Sequence, residues 1–96
     1  MKVRFSQMAL SELYAELAVR AVNNPAAAEH FYGRLKWAIE QISQHPNGAQ
    51  EVSARPGVRR ISIWGHPYIV YYKVIDGTAV LLRILRLGRP RVGVKL

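Results

Sequence analysis

Three apolar runs fill the second half of the chain: Val58–Trp64, Tyr68–Ile75 and Ala79–Leu87. The connections between them are too short for anything but antiparallel neighbours. The first run ends at Gly65-His66-Pro67 and the second at Asp76-Gly77, a pair suited to the left-handed conformations of a tight hairpin turn. Gly88 and Pro90 close the third. A three-stranded antiparallel meander follows, and one of its apolar faces has to be covered by whatever the first half supplies.

The first half supplies a strand and two helices. Lys2 to Phe5 alternates, with Val3 and Phe5 on one side and Lys2 and Arg4 on the other, as in a short half-buried strand. Ser6 is placed to cap a helix. Leu10, Leu13, Tyr14, Leu17, Ala18 and Ala21 then recur at helical spacing as a buried stripe, with Glu12 and Glu16 off it. Asn24 and Pro25 suit the N-cap and first position of a second helix. Its predicted buried residues are Ala28, Phe31, Tyr32, Leu35, Ile39 and Ile42, and it stops by His45, because Pro46 and the Asn47-Gly48 turn follow. Helices joined by so short a link lie antiparallel. Residues 50–55 read equally as strand or loop. The expected architecture is one α+β domain over residues 1–96, in two layers: an N-terminal strand, a helical hairpin and the three-stranded meander.

Charge divides the chain. Met1 to Glu51 holds five Lys/Arg and five acids, whereas Val52 to Leu96 holds nine Lys/Arg against Asp76, so the whole net charge of +8 belongs to the sheet-forming half. Such a surface suits an anionic partner: a nucleic acid, a protein that works on nucleic acid, or an acidic chain. The sequence has no cysteine, which rules out disulfides, thiolate zinc sites and cysteine nucleophiles and fits a reducing cytosol. No apolar run approaches the roughly 20 residues of a membrane span, and no apolar stretch behind the N-terminus resembles a leader. The reading is a soluble, cytoplasmic protein.

The strand pattern groups Arg60 with Ser62 and Trp64, and Arg59 with Ile61 and Ile63. It groups Arg83 with Leu81, Leu85 and Leu87, and Arg86 with Val80, Leu82 and Ile84. A guanidinium flanked by apolar neighbours either snorkels to an edge or meets a carboxylate or phosphate. Arg59, between two isoleucines, reads as structural. Tyr71 faces opposite to Tyr68 and Tyr72; such aromatics stack bases in some proteins, but they also simply favour strands. Trp37 lies nearly opposite Leu35 and Ile39 on its helix, either packed on the first helix or offered to a partner. His30, His45 and His66 have no metal-ligand spacing, the glycines form no phosphate loop, and no serine has a nucleophile's context. No catalytic residue, metal site or cofactor is expected.

Taken in order, several segments resemble the ParE branch of the ParE/RelE superfamily, the toxins of type II toxin–antitoxin systems. They are Ala9-Leu10 with Leu13, Asn24-Pro25-Ala26-Ala27-Ala28, Pro46 with Gly48, Pro56-Gly57-Val58-Arg59-Arg60, Pro67-Tyr68-Ile69-Val70-Tyr71-Tyr72, and Leu82-Arg83-Ile84-Leu85 leading to Arg89. The resemblance runs from about Val3 to Pro90. It implies a bacterial toxin neutralised by a cognate antitoxin that wraps a helix and an extended segment around it. RelE-like members cleave messenger RNA on the ribosome, whereas ParE-like members block DNA gyrase. From the start of the last strand onward this chain has no Tyr, His, Asp or Glu, and Arg86 stands where many relatives carry a histidine. Arginine stays protonated and cannot shuttle a proton. The gyrase-directed mechanism is therefore expected, with the ribosome-dependent endoribonuclease as the alternative and direct nucleic-acid binding left open. The candidate target-binding residues are Arg60, Arg83, Arg86, Arg89 and Arg91; the candidate antitoxin contacts are Trp37, Trp64, Tyr71 and Tyr72.

Overall fold

A computed structural model describes residues 1–87. The order is β1 (Lys2–Phe5), α1 (Gln7–Asn23), α2 (Pro25–Gln44), β2 (Gln50–Glu51), β3 (Val58–Ile63), β4 (Tyr68–Ile75) and β5 (Thr78–Arg86). The strands form one five-stranded sheet in the order β1-β5-β4-β3-β2. β3, β4 and β5 are the antiparallel meander, whereas β1 lies parallel to β5, with Val3 opposite Ala79 and Phe5 opposite Leu81. The ambiguous segment contributes β2, which pairs only Gln50 and Glu51 with Arg60 and Arg59.

Local chemistry sets the boundaries. The Ser6 hydroxyl accepts the Ala9 N–H at 3.1 Å and donates to the Leu82 carbonyl at 2.9 Å, so one side chain caps α1 and fastens it to the sheet. The Asn24 side chain accepts the Ala26 N–H at 3.0 Å, and Pro25 opens α2. His45 caps the other end of α2. Asp76 and Gly77 both have positive φ, 50° and 76°, as a two-residue hairpin with the strands' own twist requires.

Both helices lie on one face of the sheet. The main core joins Ala9 and Leu13 of α1, Phe31, Leu35 and Ile42 of α2, and Ile63, Tyr68, Val70, Tyr72, Ala79, Leu81 and Ile84 of the sheet. Burying a side chain of Leu or Phe size contributes about 1.5–3 kcal/mol, so this layer contact is the main stabilising element. A smaller cluster on the opposite face holds Val58, Ile69 and Tyr71, with Val52, Leu82 and Leu85 packed against it.

The structure departs from the sequence-based expectations in α1, β5 and α2. Leu10, Tyr14, Ala18 and Ala21 are exposed, whereas Glu12, Glu16 and Arg20 lie half-buried beside Ala9 and Leu13. The inward stripe of α1 is thus partly polar, because the ions find partners beneath the helix. In β5, Tyr71 is opposite Arg83 while Tyr72 is opposite Leu81, so Leu82 is the extra residue of a bulge. The bulge resets the alternation. Leu81 and Ile84 face the helices together, and Leu82 and Leu85 the other side, which breaks the sequence-based grouping of Arg83 and Arg86. On α2, Tyr32 is likewise exposed, and Ala38 takes a core position.

Candidate functional site

The sheet face away from the helices gathers cations. Cross-strand partners share a face. One row crosses the sheet as Arg4, Val80, Lys73 and Val58, and a neighbouring row as Arg83, Tyr71, Arg60 and Gln50. Lys2 adds a charge at the start of β1, where it and Arg4 are exposed. None of the described acids falls on this face by register: four are on the helices, Glu51 pairs with Arg59 on the other side, and Asp76 is in the β4–β5 turn. Tyr71 is buried at the centre of the face.

The candidate arginines separate. Arg60 starts on this face, and it also lines a groove of about 450 Å³ at the sheet's outer margin, between β3 and the C-terminal half of α2. Trp37, Gln41, His45, Ile61 and Ser62 line the same groove. Arg83 instead reaches α1: its Nη2 donates to Glu12 Oε2 at 2.8 Å and its Nε to the same carboxylate at 3.1 Å. Glu12 Oε1 also accepts the Ile84 N–H at 2.9 Å. That carboxylate thereby occupies the edge of β5 beyond the end of β1. Arg86 is exposed at the strand's end, beside a hollow of about 280 Å³ lined by Glu12, Ala15, Glu16, Ile84 and Leu85. Arg89 and Arg91 lie outside the described residues.

A second ionic cluster supports the first. Arg20 is paired with Glu16, one turn earlier on α1. The same carboxylate accepts the Tyr68 hydroxyl at 2.7 Å. The Arg20 guanidinium lies over the Phe31 ring, 4.1 Å from its centroid. Both acids of α1 are therefore consumed inside the molecule, and among the described residues no ion pair joins them to the exposed cations of the sheet.

The aromatic candidates also separate. Trp37 and Trp64 are 46% and 64% exposed, and Arg34 stacks over the Trp64 ring at 4.0 Å. Tyr72 is placed in the core instead of at a surface: it is fully buried and its hydroxyl donates to the Pro46 carbonyl at 2.7 Å. Burial pushes the Tyr72 phenol up, against a lowering influence from Arg59, so it stays neutral near pH 7. Arg59 is structural, as expected, donating to the Ala49 carbonyl at 2.7 Å.

Sequence reasoning missed the outer face of α1. Met8, Leu10, Tyr14, Val19 and Val22 are all exposed there, and the helix's charged residues are turned inward. Exposed apolar faces of this kind are common at interaction surfaces. The signal was present in the composition of α1, which has apolar or small residues nearly all round and only three charges. Among the described residues, no group of three or more His, Cys, Asp and Glu is placed to hold a metal ion, and no helix is long and apolar enough to cross a membrane.

Comparison with known proteins agrees with this architecture. The structure is similar to a chain of the chromosomal ParDE toxin–antitoxin system from P. aeruginosa, with a TM-score of 0.78 and 25% identity, over 91% of this chain and 96% of that one. It is also similar in fold to the isolated E. coli RelE toxin, with a TM-score of 0.66 and 19% identity, over 95% of this chain and 88% of that one. No curated protein sequence matches the chain. The family model for the ParE toxin of type II toxin–antitoxin systems, parDE, matches residues 3–90, nearly the whole length. The chain belongs to the ParE toxin family.

Proposed function

We propose that this chain is a toxin neutralised by a cognate antitoxin, and that it arrests growth by binding DNA gyrase rather than by cutting RNA. The observation that carries the reading is the make-up of the sheet's outer face. Its charges are those of Lys2, Arg4, Arg60 and Lys73, all basic side chains, and none of the described acids lies among them. Such a face holds phosphates or carboxylates but does not pass protons, and transesterification of RNA needs both an acceptor and a donor beside the phosphate. Membership of the ParE family supports gyrase as the target.

The antitoxin has a fitting surface in the outer face of α1 together with Trp37 and Trp64, all exposed and mostly uncharged. An antitoxin helix packed there would leave the basic face for acidic segments of the same partner.

A ribonuclease would have to draw on His45, which shares the groove with Arg60, or on Tyr71, which is opposite Arg60. Mapping messenger RNA ends after a short induction tests this. Intact transcripts with DNA breaks and a damage response are expected. Cleavage inside codons on translating ribosomes, abolished by His45→Ala or Tyr71→Phe, would replace the proposal with an enzyme.

A further inference from the structure

The His30 and His66 rings meet where α2 touches the turn between β3 and β4. Nδ1 of His30 and Nε2 of His66 are 2.9 Å apart, with the ring centroids 5.0 Å apart. A contact this short between two imidazole nitrogens is a hydrogen bond, so one ring donates while the other keeps a bare lone pair. It survives with both rings neutral or with one protonated. It cannot survive with both protonated, because both facing nitrogens would then carry hydrogen and both rings a positive charge.

The surroundings oppose that second proton. Arg34 of α2 and Arg20 of α1 face the pair, and burial, His30, Arg20 and Arg34 together hold His66 below the ordinary imidazole range. Glu16, the acid beside Arg20, is already engaged by Arg20 and by the Tyr68 hydroxyl. The Phe31 ring, nearly perpendicular to the imidazole, closes another side of His66, with centroids 5.2 Å apart. Across the turn, Trp64 lies under the Arg34 guanidinium, on the same helix as His30.

We propose that His30 and His66 form a proton-sensitive latch, which when closed holds the turn from Trp64 to Pro67 against α2, and which opens when the pair takes up a second proton, freeing the Trp64–Arg34 stack. A histidine whose pKa is depressed in the folded state favours the neutral form there. The latch therefore contributes fully above the ordinary imidazole pKa of about 6.5, and its contribution is lost as pH falls below that value. Any partner that reads the exposed Trp64 surface would sense acidification through it.

The test uses the full chain carrying Trp37→Phe, so that Trp64 is the sole tryptophan, excited at a wavelength that tyrosine does not absorb and titrated from neutral to mildly acidic pH. The expected result is a red shift of Trp64 emission and a rise in acrylamide quenching, with a midpoint below about pH 6.5, while the far-ultraviolet circular dichroism stays unchanged. The added substitution His45→Asn should keep the transition. His30→Asn or His66→Asn should remove it and leave Trp64 quenchable at every pH. A flat titration would overturn the latch. So would a transition that survives both His30→Asn and His66→Asn, or one that coincides with loss of the circular dichroism signal.

Discussion

Glu12 takes the Ile84 N–H and the Arg83 guanidinium at the same time, and so ties α1 to the one stretch of β5 that β1 does not cover. Glu12→Ala leaves a half-buried guanidinium and a strand-edge N–H without this partner. Hydrogen bonds to charged groups contribute about 1.5–3 kcal/mol, so a loss of about 2 kcal/mol is expected in urea unfolding, with Glu12→Gln losing less because its amide oxygen still accepts the Ile84 N–H. Tyr72 offers a contrast. Tyr72→Phe removes the hydroxyl donated to Pro46 and should cost about 1 kcal/mol of stability with growth inhibition unchanged. Loss of toxicity in a folded Tyr72→Phe variant would show that this phenol acts on the target. At this scale the sequence was half legible. Arg59 between two isoleucines read correctly as structural, because its environment is set by its own strand. Glu12 and Glu16 did not, because a carboxylate looks solvent-facing until the arginine or tyrosine beneath it is known, and Arg83 and Tyr68 are more than 50 residues away.

Among the elements, capping and turn chemistry were the most legible. Ser6, Asn24-Pro25 and Asp76-Gly77 fall where their backbone preferences require. The bulge in β5 was not legible, since nothing in Leu82 distinguishes it from its neighbours and only the pairing with β4 reveals the extra residue. The face of α1 was misjudged because apolar spacing fits more than one side of a helix with so few charges. That outer face carries its own prediction. Tyr14→Glu with Val22→Glu places two acids on exposed positions, so circular dichroism and toxicity should stay near wild type. Binding of the cognate antitoxin, measured by calorimetry, should fall by at least tenfold, which corresponds to about 1.4 kcal/mol. Unchanged antitoxin affinity would remove α1 from the interface.

At the scale of the molecule, the parallel pairing of β1 with β5 brings Lys2 and Arg4, from the neutral half of the sequence, onto the same face as Lys73 and Arg60. The charge asymmetry of the sequence pointed to the sheet but not to this convergence, which needs the topology. The two acids of α1 are spent internally on Arg20 and Arg83, so the outer face keeps its cationic character. A cationic face of this kind suits an anionic or acidic partner surface, and in the function proposed above that surface belongs to gyrase rather than to the ribosome. The direct measurement is DNA supercoiling by purified gyrase with increasing amounts of the purified chain. Supercoiling should stop and linear, gyrase-cleaved DNA should accumulate, with both effects reversed by the cognate antitoxin. Undiminished supercoiling, with no cleaved DNA, from a preparation that still arrests growth would contradict the account.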